Sequence, residues 1–226
     1  MSIKVQIYTA QTADEALRLA SLGVDHVGLT PSALGLPGEI DSRRARAIRD
    51  VLVGHARSVA LSVATDRSSI IDMVEAVRPD IVHLCGPPGG LGPRDVTAIR
   101  GVIGPASIIQ AIAVTGPDAV DVARSFAPVV DYLLLDSLAP DIPGVGAAGI
   151  VHDWDISAEI VEAVDVPVIL AGGLSPTNVA AAVTHVRPWG VDSLTHTNRR
   201  LASGAFAKDL GLVEAFVAAA READRA

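Results

Sequence analysis

Short aliphatic runs alternate along the chain with longer stretches whose apolar positions recur at helical spacing. The runs are Ile3–Tyr8, His26–Thr30, Val59–Ala64, Ile81–Cys85, Ser107–Val114, Tyr132–Asp136, Val168–Ala171 and Val191–Thr195. Each has the length of a strand and is rich in Val, Ile or Leu. The first helical stretch opens at Thr12-Ala13-Asp14-Glu15, with Thr12 as N-cap and Glu15 three residues on. Further helices are expected over Asp41–Val53, Ser68–Val77, Pro93–Ile103, Pro117–Phe126, Ile156–Val164, Pro176–Val186 and Phe206–Arg225.

Eight strand-then-helix units close a barrel more naturally than they build an open sheet. The expected fold is therefore α/β, a single (β/α)8 TIM barrel. No linker, composition break or low-complexity segment interrupts residues 1–226, so one domain is expected. In such barrels the chemistry sits at the C-terminal ends of the strands. The positions to interrogate are Tyr8, Thr30, Thr65, Cys85, Asp136, Gly172, Gly173 and Thr195.

Composition supports this picture. The 226 residues suffice for one barrel, and half are hydrophobic although only 3% are aromatic. The core must therefore be aliphatic, which suits parallel strands buried on both faces. Lys and Arg number 18 against 26 Asp and Glu, a net charge of −8, and no basic run stands out. That argues against a nucleic acid or an anionic membrane as partner. A phosphate ester remains possible, because backbone amides bind one locally. The one cysteine, Cys85, excludes an internal disulfide and a Cys-rich zinc site. The opening MSIKVQIYTA lacks a signal-peptide layout, and no apolar run approaches the ~20 residues of a membrane span. A cytoplasmic protein is expected, as monomer or homodimer.

The strongest chemical signal is Ile169-Leu170-Ala171-Gly172-Gly173-Leu174-Ser175-Pro176-Thr177-Asn178-Val179. A strand ends in two glycines and a helix follows, an arrangement that brings amides close to an anion. In barrels, the loops after strands seven and eight commonly hold phosphate. Gly172, Gly173, Thr195 and His196 are the expected phosphate-binding residues; a tight turn needing positive φ is the competing reading. Asp131-Tyr132-Leu133-Leu134-Leu135-Asp136-Ser137 places a carboxylate at the same face. Partial burial would raise its pKa and suit Asp136 to act as a general acid, against a plain N-cap or an arginine-paired carboxylate. Ala139 to Trp154 is glycine-rich and reads either as a mobile lid or as an unstructured connection.

On these residues the chain resembles the phosphoribosylanthranilate isomerase family. The resemblance rests on Val168-Ile169-Leu170-Ala171-Gly172-Gly173-Leu174 with Pro176 and Asn178-Val179, and on Leu133-Leu134-Leu135-Asp136-Ser137. Gly146, Gly149, Asp153-Trp154, Gly190-Val191-Asp192 and Lys208-Asp209 follow in the family's order, and Asp14/Glu15-Ala16, Gly23-Val24-Asp25 and Gly28 fit its first unit. The resemblance implies an Amadori rearrangement of an aminoaldose phosphate to an aminoketose phosphate, without metal or cofactor. It implies that a cysteine ending strand one takes the C2 proton and that an aspartate ending strand six protonates the ring oxygen. An arginine after strand two holds the anthranilate carboxylate.

The chain departs from that pattern. Lys-Ile-Cys-Gly becomes Gln6-Ile7-Tyr8-Thr9, which puts Tyr8, with an ordinary pKa near ~10, where the base belongs. Ser-Pro-Arg falls near Leu36-Pro37-Gly38, and Arg43 and Arg44 read as first-turn helix residues. Gln-Leu-His-Gly becomes His83-Leu84-Cys85-Gly86, and the Ser-Gly of strand eight becomes Thr195-His196. Asp136, Cys85, Tyr8 and His83 are the catalytic candidates. His83 and Cys85, two apart on a strand, face the same way. Cys85 as a thiolate base or nucleophile would need a positive neighbour such as His83 or His196; a small buried hydrophobe is the alternative. His26, His55 and His185 are expected at the surface.

Three functions compete. The first is an isomerase acting on a small phosphorylated sugar or sugar-amine other than phosphoribosylanthranilate. The second is a phosphate-ester lyase or aldolase; a Schiff-base version is disfavoured because Lys4 and Lys208 lie away from the mouth, and a metal version has only His83, Cys85 and Asp136 to draw on. The third is a non-catalytic barrel that binds a small molecule.

Overall fold

The aliphatic runs pair into a closed parallel barrel in chain order. The computed structural model describes residues 2–138, 144–146, 149–202 and 205–225. The barrel strands are β1 (Lys4–Tyr8), β2 (His26–Leu29), β3 (Arg57–Ser62), β4 (Ile81–Leu84), β5 (Ser107–Ala113), β6 (Tyr132–Asp136), β7 (Val168–Leu170) and β8 (Gly190–Ser193). β8 returns to β1 with Val5 opposite Val191 and Gln6 opposite Asp192. Helices α1 (Ala13–Ser21), α2 (Ser42–Leu52), α3 (Arg67–Val77), α4 (Pro93–Arg100), α5 (Ala119–Phe126), α6 (Trp154–Ala163), α7 (Val179–Val186) and α8 (Leu210–Ala223) follow the strands in turn. The expected (β/α)8 barrel is the fold found. No helix among the described residues is long and apolar enough to cross a membrane.

Two layers of apolar side chains hold it together. The larger lies between strands and helices, where Val5, Leu29, Ile108 and Leu170 meet Leu19, Ile48, Ile99 and Phe216. The smaller fills the barrel itself, with Val59, Ile81, Ile109, Leu134 and Ile169. Burying aliphatic area of this kind contributes ~25 cal/mol per Å² and needs no aromatic residues.

Polar groups moved four element boundaries. β3 starts at Arg57, two residues before the expected Val59, because the guanidinium anchors it to Tyr132 Oη at 2.9 Å and Ser107 Oγ at 2.9 Å. The strand-eight run ends at Ser193, and Thr195–Thr197 forms a 3-10 turn. Pro176 does not begin a helix: Asn178 Oδ1 accepts Ser175 N–H at 2.7 Å, closing a turn, and α7 starts at Val179. Phe206–Lys208 is not helical either. It forms strand β10, antiparallel to β9 (Asn198–Arg200), and α8 starts only after Asp209 caps Gly211 and Leu212 N–H.

The N-terminal end of the barrel repeats one device three times. Asp25, Asp80 and Asp131 immediately precede β2, β4 and β6. They accept the N–H of Val5 (3.0 Å), Ser58 (2.8 Å) and Ile108 (2.7 Å), each on the strand before. Each also has a side-chain donor: Lys4 Nζ at 2.9 Å, Ser58 Oγ at 2.7 Å and Arg100 at 2.7 Å. His26, expected at the surface, is buried here. Its Nδ1 lies 3.2 Å from Gln6 Oε1, its ring packs on Tyr132 and Trp189, and burial lowers its pKa to about 4. His55 and His185 are exposed, as expected.

Candidate active site

Tyr8 ends β1, and its ring lies inside the barrel across Gly28 of β2. Any side chain at Gly28 would overlap the ring, so glycine is required there for this close approach. The phenol reaches across to β4, 2.8 Å from His83 Nδ1. The phenol and the imidazole share this one bond, and His83 Nε2 has no partner among the described residues. Burial lowers the His83 pKa to about 3 and raises that of Tyr8 well above its ordinary value, with Asp192 and Cys85 adding to the rise. Both groups are neutral at physiological pH. Tyr8 therefore plugs the barrel floor and cannot serve as a base.

Cys85 follows β4 and lines the same cavity as His83 and Asp136, so the two residues do face the same way. Its Sγ–H donates to Val145 O at 2.7 Å, and Val145 N–H donates back to Cys85 O at 3.0 Å. This pair of bonds straps the loop after β6 onto the end of β4. Burial, and then the Asp136 charge, push the thiol pKa upward. The positive neighbour that a thiolate needs is not found: His83 is neutral, and His196 is exposed with Nε2 3.1 Å from Gly149 O. The expectation of a thiolate at Cys85 is corrected accordingly. His83, Cys85 and Asp136 do not gather into a metal-holding group among the described residues.

Asp136 ends β6, where Oδ1 accepts Ser137 N–H at 2.7 Å and Ser137 Oγ–H at 3.2 Å. The backbone of Gly146 packs against its other oxygen. Burial outweighs the Ser137 bonds and lifts the carboxyl pKa to about 7. A second carboxyl joins it. Asp192 on β8 is 7% exposed, and its Oδ1 has no partner among the described residues. Burial, and then the Asp136 charge, lift its pKa to about 8. Sequence reasoning passed over Asp192, although alternation signals it: Val191 faces the helices, so Asp192 faces the barrel.

Two small cavities meet at these carboxyls. One, of about 60 Å³, is lined by Tyr8, His83, Cys85, Asp136 and Asp192, with Pro37 and Val145 above. The other, of about 20 Å³, is lined by Gly172, Gly173, Thr195, His196, Asp136 and Asp192. The catalytic and phosphate-binding candidates thus converge, with Asp136 and Asp192 shared. The first cavity has room for about two waters, so the site is closed. Among the described residues no Arg or Lys lines either one; Arg43 and Arg44 are exposed on the first turn of α2.

The loop after β6 makes the closure. Gly172 and Gly173 have φ of +77° and +63°. A Cβ on Gly172 would lie 2.5 Å from His152 Nδ1, and one on Gly173 would lie 2.8 Å from Val151 N. Residues 149–152 therefore rest directly on the two glycines. His152, a second residue that sequence reasoning passed over, bonds Ser157 Oγ through Nε2 at 2.8 Å and leaves Nδ1 unpartnered. Burial lowers its pKa to about 4. The expected Ala139–Trp154 lid falls partly on residues 139–143 and 147–148, which lie outside the described residues. Lys208 is buried behind β8, with Nζ 3.2 Å from Leu194 O, and lines neither cavity. Burial lowers its amine pKa to about 7. A larger concavity, about 1060 Å³, lies between α6, α7 and α8, away from the strand ends.

Comparison with known proteins gives a consistent picture. Residues 7–194 match the family model described as N-(5'-phosphoribosyl)anthranilate (PRA) isomerase. The N-(5'-phosphoribosyl)anthranilate isomerase of Methanocella arvoryzae is 34% identical, over 95% of this chain and 96% of its own. That of Haloferax volcanii is 37% identical, over 89% and 85%. Among solved structures, phosphoribosylanthranilate isomerase from Thermotoga maritima superposes with a TM-score of 0.77 at 24% identity, covering 97% of this chain and 99% of its own. The enzyme from Thermus thermophilus gives 0.77 at 22%, covering 96% and 98%.

Proposed function

The chain belongs to the N-(5'-phosphoribosyl)anthranilate isomerase family, and from that premise we propose that it is an isomerase acting on a phosphorylated sugar or sugar-amine other than phosphoribosylanthranilate itself. The observation that carries this reading is the pairing, at one barrel mouth, of a buried Asp136 carboxyl with a cavity that no cation lines among the described residues. A carboxyl with a pKa of about 7 both gives and takes a proton near neutrality, as acid catalysis of ring opening demands. An aryl carboxylate, in contrast, has nothing positive to meet, because Pro37 stands on the rim and Arg43 and Arg44 point to solvent.

In this reading the phosphate is held by the amides of Gly172 and Gly173 with Thr195 and His196. Residues 149–152 must lift to admit it, since they now rest on the glycines. Asp136 protonates the ring oxygen, and the closed loop then excludes water from the reactive open-chain form. The partner is a small phosphorylated metabolite, the protein acts in the cytoplasm as monomer or homodimer, and the reaction draws on no metal or cofactor.

The test is hydrogen exchange in D2O. Ribose 5-phosphate, its glycosylamine with ammonia, and phosphoribosylanthranilate are each incubated with enzyme and analysed by mass spectrometry. The expected result is solvent deuterium at C1 of the ketose product, and at C2 of any substrate that reverts, with one of the first two and little with the third. Turnover of phosphoribosylanthranilate at the best rate of the three would overturn the substrate reading. Binding of all three without exchange would leave a binding barrel.

A further inference from the structure

The isomerase reading needs a group to remove the C2 proton, and the cavity walls eliminate most candidates. The Tyr8 hydroxyl is committed to His83. The Cys85 thiol is committed to Val145 O. His83 Nε2 also lacks a partner among the described residues, but burial lowers the imidazole pKa to about 3, which makes it a poor base. Asp136 carries two bonds from Ser137. Asp192 is different: it lines both cavities and is over nine-tenths buried, yet it keeps an oxygen with no partner among the described residues. A buried carboxylate oxygen left without a donor is costly, and such a cost is retained where a ligand supplies the partner.

We propose that Asp192 is the catalytic base of this enzyme, working as a pair with Asp136 in the position that Tyr8 leaves without one. The inference rests on the isomerase reading. Asp136 first gives its proton to the ring oxygen; the C1–O bond breaks, and the nitrogen lone pair of a sugar-amine forms C1=N. Asp192 Oδ1 then takes the C2 proton, the C–H electrons become C1=C2, and the C=N π pair returns to nitrogen. The enol O–H returns its proton to Asp136 as C2=O forms, and C1 takes the proton held by Asp192. Both carboxyls end as they began, and no outside acid, base or oxidant is consumed. Protonated Asp136 beside ionised Asp192 is the state this sequence requires. In the empty site Asp192 holds its proton to about 8 and Asp136 to about 7, so the positive charge of the bound sugar-amine nitrogen must send the Asp192 proton to solvent before the loop closes.

The arrangement also accounts for Tyr8. With a base on β8, the end of β1 is free to plug the barrel floor across Gly28. Burying the neutral Tyr8–His83 pair beneath the carboxyls adds no charge that would drag either pKa down.

The experiment compares wild type, Asp192→Asn, Asp192→Glu and Asp136→Asn for exchange of the C2 hydrogen, read as solvent deuterium at C1 of the product and at C2 of returned substrate, with the three probes above, alongside each variant's melting temperature with and without ribose 5-phosphate. The expected result is a loss of at least ~100-fold in exchange for Asp192→Asn, with the ligand-induced rise in melting temperature kept and partial rescue by Asp192→Glu. Wild-type exchange by a folded Asp192→Asn protein overturns the assignment of Asp192 while leaving the isomerase reading intact. Absence of exchange from the wild type with every probe overturns both. If Asp192→Asn does not fold, Asp192→Glu decides alone: full wild-type exchange with the carboxyl displaced by one methylene counts against a positioned base.

Discussion

The two ends of the barrel treat the same residue type in opposite ways. At the N-terminal end Asp25, Asp80 and Asp131 each accept a backbone N–H from the neighbouring strand and meet a donor from Lys, Ser or Arg. At the C-terminal end Asp136 receives only its neighbour Ser137, and Asp192 keeps an empty oxygen. The first set ties strands together. The second sits where burial is not offset, so each carboxyl holds its proton to about 7 or 8. A carboxyl that is satisfied serves the fold; one left short of partners serves a ligand.

The sharpest way to break this comparison is to substitute one carboxyl at each end. Asp136→Asn should cut turnover by about 10²- to 10⁴-fold with little change in melting temperature. Asp80→Ala should do the reverse. It leaves Ser58 N–H without its acceptor and costs ~2 kcal/mol of stability, while turnover per folded molecule stays the same. Chemical denaturation and steady-state rates on both variants check the pair; equal loss of turnover in the two would erase the distinction.

Stability against pH separates the ends next. The Asp192 carboxyl is raised in the folded state, to about 8 from the ordinary 3.8. The folded state thus binds a proton that the unfolded state releases, and stability from this group is full below pH 4 and lost as pH climbs to 8. Asp192→Asn has no such loss. It should match wild type near pH 4 and exceed it by at least ~2 kcal/mol near pH 9. Lys208, whose amine is lowered to about 7, feels the Asp192 charge, so a Lys208→Met background run in parallel separates its titration from that of the carboxyl. A gap independent of pH would contradict the account. The smallest effect expected is that of Tyr8→Phe, which removes one buried bond to His83 and costs ~1 kcal/mol in the same denaturation assay, without abolishing turnover.

The alternation of aliphatic runs and helical stretches made the barrel legible, because strands buried on both faces must be apolar throughout. Boundaries slipped where a single side chain decides: Asn178 turning back on Ser175, or Asp209 capping α8. Asp136 and Gly172–Gly173 were readable, since each sits at a strand end with its chemistry exposed in the letters. The inward direction of Asp192 was readable from alternation along β8, but its unpartnered oxygen was not, and neither was the contact of His152 with Gly172. His83 and Tyr8 were readable as departures but not as a pair, since 75 positions separate them and only closure of the barrel joins them. The repeated aspartate before β2, β4 and β6 was visible all along as Asp25-His26, Asp80-Ile81 and Asp131-Tyr132, but its meaning depends on the parallel register.

The claim beneath all of this is that Asp136 and Asp192 retain a proton near neutrality. Site-resolved carbon-13 NMR of the aspartate carboxyls, titrated from pH 3 to 10 with Asp136→Asn and Asp192→Asn proteins for assignment, measures it directly. Two steps near pH 7 and 8, each lost or shifted in its own variant, are predicted. Carboxyl signals at both positions that finish titrating below pH 5 would contradict it.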